Sequence, residues 1–186
     1  MKRIFDLCMA SVLLFVLFIP LLFIAICVRI TSRGPALYWS DRIGRNNDLF
    51  KMPKFRSMKI NTKQVATHLM ENPKAHLTPI GGFLRKSSLD ELPQLISVLK
   101  GHLSFVGPRP ALYNQYDLIE LRTERGIDKL IPGVTGWAQV NGRDELSIPD
   151  KVKYDEEYLK RRTFLFDLKI LWLTLLGVFF SRGVSH

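Results

Sequence analysis

Two adjacent carboxylates, Asp90 and Glu91, stand in "SSLDELPQL" at residues 87–95, with Arg85 and Lys86 just before and Pro93 just after. The surrounding chain is basic: 27 Lys and Arg against 17 Asp and Glu give a formal net charge of +10. One reading of the pair is structural. Ser88-Leu89-Asp90-Glu91 fits the S-x-x-E capping box, in which serine and glutamate satisfy each other's exposed amides, and acidic residues suit a first helical turn. That account leaves Asp90 over, because one carboxylate completes the box. A carboxylate at a helix start beside Arg85 and Lys86 is expected to stay ionised, where phosphate oxygens would also bind. It is suited to holding Mg²⁺ or to attacking phosphorus directly, forming an aspartyl phosphate. Two such neighbours can hold a metal together, or divide the roles of nucleophile and of metal ligand or base.

Cations that would serve this chemistry recur along the chain. "SFVGPRPAL" sets Arg109 between Pro108 and Pro110. Two prolines stiffen the backbone and lower the ordering cost of an arginine that binds an anion. Lys54 and Arg56 in "PKFRSM" and Arg143 in "NGR" are individually weaker candidates. His68, His76, His102 and His186 show no ligand spacing, so a His/Cys metal centre is not expected. The net charge favours anionic partners. Nucleic acid is not expected among them, because the cations gather around Asp90, Glu91 and the P-R-P turn and no nucleic-acid module is present.

The elements that must position these residues read as one α+β unit, predominantly helical. Ser11 to Val28 carries no charge, roughly 27 Å as a straight helix against a hydrocarbon core of about 30 Å. No small-residue cleavage site follows it, so a signal peptide is disfavoured. Pro20 at its centre should break the helix. Lys2 and Arg3 precede the run, and Arg29 and Arg33 follow it, which favours the same face of a membrane for both ends. A re-entrant helix-break-helix anchor over residues 1–30 satisfies both observations, leaving 31–186 as the catalytic part of a single domain. Cys8 and Cys27 are the only cysteines, both beside or within this run, so no disulfide framework is expected.

Further along, a hairpin is predicted across "ALYWSDRIGRNNDLFKMPKFRSM" with its turn at Gly44–Asp48. Residues 62–76 read as a polar helix or loop. Helices are predicted from Asp90 to Lys100, ended by Gly101, across 114–130, and from Ser147 through "DKVKYDEEYLKRR". A short strand is expected between Pro132-Gly133 and Asn141-Gly142. The C-terminal "FLFDLKILWLTLLGVFF" is broken by Asp167 and Lys169; its charge-free part is too short to span and suits an interfacial amphipathic helix or one packed on the core.

In their order, "KRIFD", "DRIGRNNDLFKMPKFRSM", "LRKSSLDELPQLISVLKGHLSFVGPRPAL", "PGVTGWAQVNGR" and "FDLKILWLTLLGV" resemble the bacterial monotopic phosphoglycosyl transferases, in their minimal catalytic form. The resemblance covers nearly the whole chain. It implies transfer of a sugar-1-phosphate from a UDP-sugar to polyprenyl (undecaprenyl) phosphate, with Mg²⁺ and release of UMP. It places the protein on the cytoplasmic face of the bacterial inner membrane, starting a glycoconjugate, and leaves homo-oligomerisation open. By the same resemblance Asp90 is the nucleophile, giving a phosphosugar-aspartyl intermediate. Glu91 assists as metal ligand or general base, Arg85 holds phosphate, and Pro108-Arg109-Pro110 contacts the nucleotide, with Arg143 a further phosphate contact. One departure stands out: many relatives break the membrane helix at Ser-Pro, and here the pair is Ile19-Pro20. A membrane-bound hydrolase using the same carboxylates on water, and a non-catalytic membrane scaffold, are the rival readings.

Overall fold

A computed structural model describes residues 1–60, 62, 72–142 and 145–179. Most of the segment read as a polar helix or loop at 62–76, and Arg143, therefore lie outside the described residues. The chain begins with α1 (Lys2–Val16) and α2 (Phe18–Thr31), which meet at Leu17 with a bend of 63°. The bend falls three residues before Pro20, which occupies the first turn of α2. Proline has no N–H to offer the carbonyl four residues back, and its ring crowds that carbonyl, so the break precedes the proline itself. Leu17 N–H still reaches Leu13 O, and Leu21 N–H reaches Leu17 O, both at 2.8 Å. Among the described residues no single helix is long and apolar enough to cross a membrane; only this bent pair has the combined length and composition.

The predicted hairpin forms: β1 (Leu37–Ile43) and β2 (Leu49–Phe55) pair antiparallel, Leu37 opposite Phe55 and Ile43 opposite Leu49. Asn46 and Asn47 turn the chain with φ of 55° and 62°, a left-handed conformation that asparagine tolerates. A short α3 (Gly81–Lys86) precedes the carboxylate segment. The single helix expected over 90–100 is instead a 3₁₀ helix, Leu89–Gln94, running into α4 (Leu95–Lys100). Pro93 explains the difference, since it removes an α-type hydrogen bond from the segment's interior. Gly101, at φ 87°, ends α4 as expected.

A parallel pair that sequence reading missed lies at the centre. β3 (Ser104–Val106) aligns with β4 (Gly133–Thr135), Ser104 opposite Gly133 and Val106 opposite Thr135. Between them run α5 (Tyr116–Glu124) and a 3₁₀ turn, Ile127–Lys129, where one continuous helix was expected. The strand anticipated after Pro132 is only three residues long and gives way to α6 (Trp137–Val140). α7 (Ile148–Arg161) starts where predicted, with Ser147 Oγ accepting the Asp150 N–H at 3.2 Å. α8 (Phe164–Phe179) completes the described chain. Its Phe166, Asp167 and Ile170 are buried on the core, whereas Leu165, Trp172 and Leu175 are exposed.

The first turn of α1 is fastened to this centre by polar contacts. Asp6, nearly fully buried, accepts from Ser104 Oγ (2.8 Å) and Phe105 N–H (3.2 Å) at the start of β3. Lys2 Nζ reaches Val106 O at 2.9 Å and Asp167 at 2.6 Å, and Tyr158 hydroxyl donates to the same carboxylate at 2.7 Å. Arg3 donates to Val98 O and Leu99 O near the end of α4, and Val98 O also accepts the Gly101 N–H. The opposite outer side of α1 and α2 is apolar and exposed, with Phe15, Phe18, Ile19 and Phe23 all more than 60% accessible.

Backbones approach closely where β3 ends. A Cβ placed on Gly136 would sit 2.1 Å from Gly107 O, a backbone atom that cannot swing aside. Gly136→Ala should cost on the order of 2–3 kcal/mol by overpacking, whereas Gly177→Ala, with nothing within 4 Å, should be neutral or slightly stabilising. Thermal unfolding of the two variants in detergent checks this contrast.

Candidate active site

Three segments converge on Glu91. The 3₁₀ helix carrying Asp90 and Glu91 packs on β2, whose register sets Lys54 opposite Tyr38 and turns its amine toward the carboxylate. Lys54 Nζ and Arg109 Nη2 both reach Glu91 Oε1, at 2.6 and 2.8 Å. Burial works against the Glu91 charge, but Arg109 and Lys54 together outweigh it and hold its carboxyl well below the ordinary carboxylate range. Burial in turn lowers Lys54, and the Glu91 carboxylate opposes that shift.

The capping box does not form. Ser88 has φ 57° and makes no side-chain cap, and the Glu91 carboxylate is engaged by two cations. Two cationic donors, an ammonium and a guanidinium, hold the carboxylate more strongly than one backbone N–H would, so Glu91 turns away from the helix start.

Asp90 is in a different electrostatic position although it is the next residue. Only 8% of it is accessible, and burial pushes its carboxyl above the ordinary value; Lys54, Arg85 and Arg109 oppose that shift and Glu91 adds to it. The expectation that nearby Arg85 and Lys86 would govern this group is therefore corrected: desolvation is the largest influence, Lys54 the next, and Arg85 comes after Glu91. No hydrogen bond reaches the Asp90 carboxylate among the described residues. Arg85, in the last turn of α3, is near enough to act on it electrostatically.

The P-R-P turn leaves β3 with both prolines buried and the Arg109 side chain partly exposed. All three of its carbonyls are held: Pro108 O by Gly133 N–H (2.9 Å), Arg109 O by Arg122 Nη1 (2.8 Å) and Pro110 O by Arg42 Nη1 (3.1 Å). Arg122 also places Nε and Nη2 on Asp155 Oδ2 at 3.0 and 2.6 Å. Burial raises Asp155 from its ordinary value despite that guanidinium.

The sequence-predicted residues are thus partly gathered. Asp90, Glu91, Arg85, Arg109 and Lys54 share one locality, with Pro108 and Pro110 shaping the turn. Arg56 belongs elsewhere, donating to the carbonyls of Ser32 and Arg33 and to Ser32 Oγ after α2. Arg42, Arg122 and Asp155 were missed; their contacts with the turn and with each other lie 13 to 68 residues away in sequence, and no local pattern marks them.

No group of three His, Cys, Asp or Glu side chains among the described residues could cage a metal. The Asp90–Glu91 pair nevertheless fits Mg²⁺ in one respect: its donors are hard carboxylate oxygens, and Mg²⁺ is commonly bound by one or two carboxylates with substrate phosphates completing the shell.

A buried carboxylate without a hydrogen bond among the described residues, set among a lysine and two arginines beside an exposed apolar helix pair, defines a centre for anionic, phosphate-bearing molecules at an apolar surface. Comparison with known proteins gives the family: residues 1–181 match the bacterial sugar transferase family, and the chain belongs to it. It is 40% identical to the UDP-glucose:undecaprenyl-phosphate glucose-1-phosphate transferase of Escherichia coli K12, covering 98% of this chain and 41% of that protein. It is 37% identical to the undecaprenyl-phosphate galactose phosphotransferase of Salmonella typhimurium LT2, over 94% of this chain and 39% of that protein. The sugar transferase EpsL of Bacillus subtilis 168 is 40% identical and is matched over 91% of its length by the whole of this chain. The chain therefore spans about two fifths of the first two relatives and nearly all of the third.

The two carboxylates should respond oppositely to removal of charge. Asp90 has a folded value above 3.8, so its favourable contribution exists at lower pH and is lost as pH rises through that folded value. Asp90→Asn should therefore be at least as stable as the parent at pH 7, the advantage shrinking on acidification. Glu91 has a folded value below 4.5; its contribution is present above that pH and is lost as pH falls through the depressed value. Glu91→Gln should cost about 3 kcal/mol at pH 7 by stranding Lys54 and Arg109, and less in acid. Unfolding midpoints of both variants between about pH 2 and pH 8 test the two signs.

Proposed function

We propose that the protein transfers a sugar-1-phosphate from a UDP-sugar to polyprenyl phosphate through a covalent intermediate on Asp90, releasing UMP, at the cytoplasmic face of a bacterial inner membrane. The single observation that carries this reading is the environment of Asp90: a buried carboxylate, unbonded among the described residues, opposed electrostatically by Lys54, Arg85 and Arg109. The relatives named for transfer of glucose-1-phosphate or galactose phosphate to undecaprenyl phosphate supply the reaction class.

In the first step an Asp90 carboxylate oxygen attacks the β-phosphorus of the donor. The new Asp90 O–P bond forms as the bond from that phosphorus to the bridging oxygen breaks, and UMP carries away the electron pair. In the second step a phosphate oxygen of the polyprenyl phosphate attacks the same phosphorus. The aspartyl O–P bond breaks, the carboxylate is regenerated, and the product is a polyprenyl diphosphosugar. No proton is required at phosphorus in either step when both attacking groups are ionised.

The chain's own residues meet the electrostatic demand. An anionic nucleophile must approach an anionic diphosphate, and preorganised cations lower that barrier. Arg109 and Arg85 are placed to neutralise the donor phosphates. Lys54 holds Glu91, which in turn keeps Arg109 pointed into the site. Mg²⁺, held by Asp90 and Glu91 with the diphosphate, would supply further charge neutralisation of the leaving group. Burial of Asp90 has a use here: a poorly solvated carboxylate reacts with less solvent reorganisation than an exposed one.

The exposed apolar outer side of α1 and α2, and that of α8, are the surfaces by which the site would be held at the membrane plane, where the acceptor's phosphate lies. The 63° bend and the charges flanking the pair support a re-entrant rather than a spanning arrangement.

Detergent-solubilised protein with Mg²⁺ should release UMP continuously only when both undecaprenyl phosphate and a matching UDP-sugar are present, UDP-glucose and UDP-galactose being tried first. Without the lipid, one burst of UMP per active site is expected, with sugar-phosphate bound to protein and released by hydroxylamine. Asp90→Asn should lower turnover by at least about 10⁴-fold and abolish the labelling, the scale seen when a covalent nucleophile is lost. Continuous UMP release without lipid would instead favour the hydrolase.

A further inference from the structure

The P-R-P turn has an unusual support problem. Pro108 and Pro110 offer no N–H, so the turn is fastened mainly through its carbonyls. Of the three groups that hold them, one is backbone (Gly133 N–H) and two are guanidinium groups from distant elements, Arg42 on β1 and Arg122 on α5. Arg122 is the more constrained by burial. Its side chain is 11% accessible, and Nε and Nη2 both rest on Asp155 Oδ2, a carboxylate that is 1% accessible. One planar guanidinium thus links α7 to the carbonyl of the very residue whose side chain reaches Glu91.

We propose that Asp155 and Arg122 form a positioning relay for Arg109, fixing the backbone from which its guanidinium meets Glu91 and the donor's diphosphate. The proposal deepens the transferase reading and rests on it for the identity of the donor. Three observations carry it. Arg122 serves two acceptors on different elements at once, which a lysine's single ammonium does not reproduce with the same geometry. The Arg109 carbonyl would lose a charge-assisted hydrogen bond if Arg122 were removed, at a place where the two neighbouring residues have no N–H to compensate. The pair is also a poor choice for stability alone: burial raises Asp155 despite its partner, and buried ion pairs often contribute little net stability compared with apolar packing. A pair retained for direction rather than for stability fits these facts.

The relay acts through Arg109, so its loss should be invisible once Arg109 is gone. In the full-length protein Arg122→Lys should lower kcat/KM for the UDP-sugar by about 10²-fold, the scale expected of a displacement near 1 Å at a reacting centre. Asp155→Asn should do the same. In an Arg109→Ala background, adding Arg122→Lys should change kcat/KM by less than about twofold. Equal losses in both backgrounds would overturn the relay, as would an Arg122→Lys protein of parental activity. Amide hydrogen exchange over residues 107–112 provides a readout independent of turnover. Arg122→Lys should speed exchange there more than in β2 or α4, and an unchanged turn would overturn the proposal even if activity fell. A parent protein that turns over no UDP-sugar would defeat the transferase reading, and the exchange measurement would still decide the relay.

Discussion

One oxygen atom organises this molecule. Glu91 Oε1 accepts from Lys54 of the hairpin and Arg109 of the P-R-P turn, and it belongs to the segment that also carries Asp90. Three stretches of chain, with Lys54 37 residues before Glu91 and Arg109 18 residues after it, are brought into one electrostatic unit by that acceptor. A two-cation, one-carboxylate arrangement leaves a local positive excess. The excess is what an adjacent buried carboxylate requires if it is to ionise, and what a diphosphate requires if it is to approach. Glu91 and Asp90 therefore divide labour by environment: one is stabilised as an anion by direct bonds, the other is buried and, among the described residues, unbonded.

The scaffold behind the site has little regular sheet to rely on. The hairpin and the three-residue parallel pair β3–β4 are small, and the strand carrying the turn ends at Val106. Stiffness comes from backbone-to-backbone approach at Gly107 and Gly136 and from carbonyls held by arginines. α1 contributes to the same stiffness, because Asp6, Lys2 and Arg3 tie its first turn to β3 and to the end of α4. The two elements that carry the carboxylates and Arg109 thus share one support, which is the beginning of the apolar helix.

Much of this was readable from local pattern. Short apolar pieces around a turn at Gly44–Asp48 marked the hairpin, Ser147 and Pro149 marked α7, and Gly101 marked the end of α4, since each signal acts within a few residues. Asp90, Glu91 and Arg109 were singled out by residue type, and they do converge. The failures share one cause, competition from partners distant in sequence. Ser88-x-x-Glu91 has the spacing of a capping box, but Lys54 and Arg109 offer Glu91 more than Ser88 does. Lys54 looked no better than Arg56 until strand register separated them, sending one to Glu91 and the other to the carbonyls after α2. β3 is too short to announce itself, and the strand expected after Pro132 carries no local sign of its parallel partner. Arg122 and Asp155 are ordinary charged residues of two helices, distinguishable only when those helices pack.

The bend at Leu17 also sets a depth. Two arms of about 22 Å, the lengths of α1 and α2 at helical rise, meeting at a 63° deflection, carry their vertex only about 11 Å beyond the line joining their outer ends. That is less than half of a hydrocarbon core of about 30 Å. On the membrane reading, the pair is a shallow wedge that displaces lipid from a single leaflet. Its insertion energy would then depend on lateral packing in that leaflet, favouring bilayers whose cytoplasmic monolayer is loosely packed or convex. Since α1 shares its first turn with the supports of the carboxylates and of Arg109, lipid packing pressure on the wedge bears on the same few hydrogen bonds that align the site.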